Sequence, residues 1–102
     1  MESMVLFEDQ VVFRLLRKDS QLYLAISRPG EPSPFAEFPV LSGYLRSVLS
    51  GPSYQVAIKG EGLQISSQDH KVVLVYQGNN KERFSARIES DFFVDALAKF
   101  DP

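Results

Sequence analysis

Apolar and polar residues alternate with a period of two along most of this chain, and twice the alternation gives way to helical spacing. Val11, Phe13 and Leu15 fall on one face of a strand, with Val12, Arg14 and Leu16 on the other. Residues 21–27 set Leu22, Leu24 and Ile26 against Tyr23 and Ala25. With Asp19-Ser20 as a two-residue turn, Leu15 stands opposite Leu24 and Phe13 opposite Ile26, so one face of the hairpin is uniformly apolar. The other face pairs Leu16 with Tyr23 and Arg14 with Ala25. It is less polar than a solvated sheet requires, and some cover for it is expected.

Arg28-Pro29-Gly30-Glu31-Pro32-Ser33-Pro34 cannot hold regular structure, because three prolines remove backbone donors and fix φ. It reads as a crossover between sheet positions, with a rigid recognition loop as the other reading. Residues 35–38 form a short strand, and Pro39 leads into a helix over about 41–49. Leu41, Leu45, Val48 and Leu49 make its stripe, Ser42 is the candidate N-cap, and Gly51-Pro52 stops it. Residues 54–59 alternate, Gly60-Glu61-Gly62 turns the chain, and a strand begins at Leu63 and Ile65 and ends at Gln68-Asp69-His70.

Residues 72–76 are continuously apolar, as a central strand buried on both faces would be. Val73 and Val75 face inward if the turn at Gly78 has four residues, which sets Val75 opposite Phe84. A five-residue turn instead turns Leu74 and Tyr76 inward. Residues 83–89 put Phe84, Ala86 and Ile88 on one side, and after Ser90 a helix over 91–100 carries Phe93, Ala96, Leu97 and Phe100 on one stripe.

These elements predict an α+β fold in a single domain, residues 1–102. Its frame is one antiparallel, twisted sheet of about six to eight strands with two short helices on its apolar face. The elements divide into pseudo-duplicated strand-strand-strand-helix units, 11–50 and 54–100, either of which has room for a fourth strand. The expected core takes Val11, Phe13, Leu15, Leu22, Leu24, Ile26, Leu45, Val48, Leu49, Val56, Ile58, Val73, Val75, Phe84, Ala86, Ile88, Phe93, Leu97 and Phe100.

Composition narrows the chemistry more than the fold. The chain has no cysteine, which excludes disulfides, a thiol nucleophile and thiolate metal sites within it. His70 is the sole histidine and sits in a solvated turn beside Asp69. The carboxylates are scattered over turns and helix ends, and Gly60-Glu61-Gly62 lacks the length of a phosphate loop. No catalytic residue, metal or cofactor is therefore expected, and the chain is not read as an enzyme. Residues 1–10 carry Glu2, Glu8 and Asp9 rather than a basic start and a long apolar run, so a cytoplasmic location is expected. No stretch approaches the roughly 18 consecutive apolar residues of a membrane span, and no membrane partner is expected.

Leu16, Tyr23, Tyr44, Phe92 and Val94 fall off the predicted core faces and are the candidate partner-binding residues. They suggest a non-enzymatic binding module that acts through a protein partner, as an inhibitor, adaptor or regulator, or through self-association as a homodimer. A cysteine-free, slightly acidic α+β chain of this size resembles in type the small bacterial immunity and inhibitor proteins, which act by covering a partner's active site.

The alternative is single-stranded nucleic-acid binding. Arg14, Lys18 and Tyr23 share the outer face of the first hairpin, and Arg83 and Arg87, with Tyr76, are assigned to that of the last. Residues 71–88, KVVLVYQGNNKERFSARI, and the helix lettering of 93–99, FVDALAK, resemble the Pur repeat family. That resemblance implies tandem β-β-β-β-α units that bind single strands. Here residues 83–89 lead straight into the helix, where that family interposes a strand. Arg14, Tyr23, Arg83 and Arg87 are the candidate contacts, and a net charge of −2 argues against them.

Overall fold

The computed structural model describes residues 2–100. Among these the elements run β1 (Glu2–Glu8), β2 (Val12–Lys18), β3 (Gln21–Ser27), β4 (Ala36–Val40) and α1 (Ser42–Ser47), the last extended by a 3-10 turn (Val48–Ser50). They continue β5 (Tyr54–Ile58), β6 (Glu61–Gln68), β7 (Lys71–Gln77), β8 (Arg83–Glu89) and α2 (Ser90–Phe100). The fold is α+β and its pairing antiparallel, as the alternation implied.

The strands make two four-stranded meanders, β1-β2-β3-β4 and β5-β6-β7-β8, in place of the single sheet expected. The break falls where the chain passes through α1 and leaves it at Gly51, whose φ of 120° ends the helix. β5 returns close to β4, and β8 lies close to β1, but among the described residues no ladder joins either pair. Both helices meet the second sheet and bring buried residues to the same core. The 3-10 turn after α1 packs on β6, where the Ser67 hydroxyl donates to the Val48 carbonyl at 2.8 Å, and α2 packs against β1, β7 and β8.

Three hairpins turn on two residues with both φ values positive or close to the left-handed region: Asp19-Ser20, Lys59-Gly60 and Asp69-His70. This geometry matches the twist of antiparallel strands. It sets Leu15 opposite Leu24 and Phe13 opposite Ile26, in the register expected. The strand β1 was not anticipated, because Glu2, Glu8 and Asp9 mask its short apolar run. It pairs Met4 with Leu15 and buries Leu6 in the core, with a bulge between Val5 and Phe7. α1 starts after Leu41 with no side-chain cap, so Ser42 lies inside the helix.

The turn after β7 holds five residues, since Gln77 pairs with Arg83. The Gly78 N–H donates to the Glu82 carbonyl at 2.8 Å, and Lys81 takes a φ of 65°. This settles the parity of β7: Val72, Leu74 and Tyr76 are buried, while Val73 and Val75, expected in the core, face outward and are half-buried. Phe38, Leu63 and Ile65 join the core as well.

Tyr76 is the point where the sheets meet. It lies in a row Val56, Leu63, Tyr76, Phe84 across the second sheet. Its ring stacks on Phe84 at 6.3 Å between centroids and meets Phe35, just before β4, and Phe38, within β4, edge-on at 5.7 and 6.0 Å. Such offset and edge-on pairs suit the ring quadrupoles. The buried hydroxyl donates to the Glu61 carboxylate, which stands at the rim of β6. Burial, then the bond to Glu61, push the phenol well above its ordinary value of 10.0.

Tyr76→Phe is expected to lower stability by about 1–2 kcal/mol, the range for losing a hydrogen bond to a charged acceptor that water can partly resolvate. The unfolded chain loses the phenol proton in the ordinary tyrosine range while the folded chain keeps it. Folded-state stability therefore falls as pH rises above about 10. Urea midpoints of both proteins near neutral pH and at about pH 11 test this: the gap between them should narrow at the alkaline end, and a gap that widens contradicts the assignment.

Candidate functional site

The outer face of the first sheet is the part of the molecule whose sequence pattern asked for a cover. Val12, Leu16, Ala25 and Ser27 point away from the core, yet each is buried, and the three apolar ones stand apart from the main hydrophobic cluster. The proline-rich segment supplies the cover. Pro29-Gly30 forms the centre of a tight turn in which the Glu31 N–H donates to the Arg28 carbonyl at 3.1 Å and Gly30 takes a φ of 83°, the pairing that a type II turn favours. The Phe35 N–H then donates to the Ile26 carbonyl at 2.9 Å, which returns the chain to the sheet. Between these anchors Pro32 and Pro34 lie over the strands.

The cover leaves a hollow of about 160 Å³ lined by Ser3, Arg14, Leu16, Ala25, Ser27, Pro32, Pro34 and Glu37. Its origin is a row across the sheet, Val5, Arg14, Ala25, Glu37, in which the smallest side chain occupies the central strand. The Lys18 ammonium bonds Glu37 at 2.8 Å and lies 4.8 Å from the centre of the Tyr23 ring. The hydrogen bond to Glu37 raises the pKa of Lys18 above its ordinary value.

A second surface feature lies where α1 meets β5. Leu41 and Tyr44 are each 56% exposed. The Tyr44 ring meets Tyr54 edge-on at 5.3 Å, and the Leu41 N–H donates to the Tyr54 hydroxyl at 3.4 Å, so one tyrosine contacts the Tyr44 ring and the Leu41 backbone.

The residues singled out from the sequence separate accordingly. Of the candidate partner-binding set, Tyr44 and Phe92 are exposed, Val94 and Tyr23 are half-buried, and Leu16 is covered by the chain's own loop, so it offers no surface. Of the nucleic-acid set, Arg14 and Tyr23 lie on the outer face of the first sheet and Arg83 and Arg87 on that of the second. Tyr76, assigned to that outer face, is in the core. Leu41, Tyr54 and Ser27 were not singled out, and Pro32 and Pro34 were named only within the segment read as a crossover or a rigid recognition loop. The apolar outer face of the first hairpin was the signal that pointed to the last three.

His70 stands at an open depression with Leu49, Ser67, Gln68, Asp69, Ser90 and Val94. Its carbonyl accepts from the Ser90 N–H at 3.1 Å, and its φ is 64°. The Ser67 hydroxyl donates to the Val48 carbonyl rather than to His70. Among the described residues no group of three metal-binding side chains occurs, and no helix is long and apolar enough to cross a membrane. Comparisons with protein-family models, with curated proteins and with solved structures found no match to this chain.

The turn geometry explains His70 through its backbone. Glycine there relieves about 1 kcal/mol of left-handed strain while freeing the unfolded chain by about 0.4–1 kcal/mol. His70→Gly is therefore expected to leave stability within about 0.5 kcal/mol of the parent. A thermal-melt loss several times larger would show that the imidazole makes a bond of its own.

Proposed function

We propose that this chain is a non-enzymatic binding module that acts in the cytoplasm through a protein partner, as an inhibitor, adaptor or regulator. One observation carries the reading: Leu41 and Tyr44, each 56% exposed, both meet Tyr54, Leu41 through its backbone N–H and Tyr44 through its ring. A tyrosine packed against a second ring loses little ordering entropy on contact, which is the property of interface anchors. Phe92, 42% exposed near the start of α2, supplies a further apolar side chain on a separate element.

The single-strand reading keeps one support. Both units follow the order β-β-β-β-α, which is the plan the Pur resemblance implies. We read the two as packing units of like design. The outer face of the second sheet, however, sets Arg87 beside Val73 and Ser66, and Ser85 beside Val75 and Gln64, with no ring on which a base would stack.

The test is capture from the native lysate after nuclease treatment, with the parent chain and a Leu41→Ser, Tyr44→Ala double variant as baits, alongside sedimentation of each alone. Because both side chains are exposed, the variant should melt within about 0.5 kcal/mol of the parent. The expected result is a defined partner, or a parent dimer, that resists nuclease and is lost from the variant. Identical capture by both baits sinks the reading, and capture abolished by nuclease transfers support to nucleic acid.

A further inference from the structure

The hollow under the proline loop has its own chemistry, separate from the surface at Leu41 and Tyr44. At about 160 Å³ it is smaller than the roughly 300–1,000 Å³ of sites for drug-sized molecules, so its occupant is a group of residue size. Most of the lining is apolar: Leu16 and Ala25 below, Pro32 and Pro34 above.

Ser3, Arg14, Ser27 and Glu37 break that lining, and Ser27 and Arg14 have no side-chain partner among the described residues. Ser27 is 2% exposed, and its hydroxyl has no hydrogen-bond partner among the described residues. A buried hydroxyl in a native fold ordinarily has one, so an unanswered one on a residue that lines a hollow marks a place for a ligand atom. Arg14 is half-buried at the same hollow and, among the described residues, has neither an ion pair nor a hydrogen bond. The carboxylate that could have answered it, Glu37 on the far side of Ala25, is taken by Lys18 at 2.8 Å. With Glu37 neutralised, the positive charge of Arg14 is left over, beside a hydroxyl able to donate.

The geometry points to a carboxylate-binding pocket. The guanidinium of Arg14 pairs with the carboxylate, the Ser27 hydroxyl donates to one of its oxygens, and an apolar stem of about three to five carbons rests between Ala25, Leu16 and the two prolines. Inorganic anions fill the charged end and leave the apolar walls without a partner, so a short aliphatic acid is favoured over phosphate. Two sources carry this chemistry: a free short-chain acid, or the C-terminal residue of a polypeptide.

Amide chemical shifts of the intact chain, followed by two-dimensional NMR, test it with four probes: butyrate, its neutral isostere butyramide, N-acetylvaline with a free carboxylate, and inorganic phosphate. Saturable shifts centred on Leu16, Ala25 and Ser27 are expected with the two acids and not with butyramide. Arg14→Gln should weaken binding at least about tenfold, as loss of a charge-assisted pair does. Ala25→Val should block binding by filling the floor, and Arg14→Lys, which keeps the charge, should bind between the parent and Arg14→Gln. Tighter binding of N-acetylvaline assigns the pocket to a chain end, and tighter binding of butyrate assigns it to a free acid. The proposal is overturned by the absence of saturable shifts with both acids, by equal response to butyramide or phosphate, or by undiminished binding to Arg14→Gln in a variant whose spectrum shows it folded. The outcome at Leu41 and Tyr44 has no bearing on any of these readings.

Discussion

Tyr76 reaches from the second sheet into the rings of the first, and its hydroxyl has to be answered in a space with little room for water. Phe35 and Phe38 present their edges to it, Phe84 stacks on it, and Glu61 accepts from it. A phenylalanine would fill the same volume and leave the turns around it less constrained. The hydroxyl ties the ring to the start of β6, and the backbone nearby is built to admit it: a methyl group on Gly78 would lie 2.9 Å from the Tyr76 oxygen and 3.1 Å from Glu82. The same end of the sheet is clasped by Asn79, whose amide nitrogen, turned toward them, donates to the Lys59 and Gly60 carbonyls at 3.1 and 3.2 Å. The five-residue turn, the parity of β7 and the contact between sheets are therefore one constraint seen from three sides.

That constraint marks the limit of what the pattern of residues reveals. The hairpin of β2 and β3 was legible because its inner face is apolar throughout and its turn has the right length, so a slip of one residue would expose Phe13 and Ile26. β7 was not, because Val73 and Val75 are as apolar as Val72 and Leu74, and only the length of the following turn decides between them. The expectation of one sheet failed for a related reason. Alternation reports that a strand has a buried face without reporting against what it is buried, and two facing sheets satisfy the same alternation as one sheet beneath helices. β1 escaped notice since its acids sit at its ends, where they face water.

For the candidate sites the position is reversed: the useful signal was a misfit. A solvated sheet face should not carry Val12, Leu16 and Ala25 together, and the structure resolves the misfit by folding residues 28–34 over them. Leu16 thereby leaves the set of surface anchors, and a loop that reads as a mere crossover becomes a lid with two fixed ends. The hairpin register already sets Ser27 diagonal to Arg14, but no spacing rule could have joined Pro32 to them, because it meets them only after the loop turns back at Gly30. Tyr44 was legible as a residue off the core stripe. Its partner Tyr54 was not, since a tyrosine opening a strand has an ordinary place in the sheet.

The two outer sheet faces consequently differ in kind. The second is an open polar surface in which Gln64, Ser66, Ser85 and Arg87 surround the half-buried Val73 and Val75. It needs no cover, because polar neighbours keep its apolar area small. The first is partly closed by its own loop, and above Ala25 the closure leaves a hollow for a physical reason. Pro32 and Pro34 have rigid rings and no backbone donor, so the loop cannot sink onto the smallest side chain of the row or bond the Ser27 hydroxyl from its own N–H groups at those positions. A loop of flexible polar residues would collapse into the gap and satisfy the serine. The prolines at these two positions keep the gap open, with Arg14 at its edge.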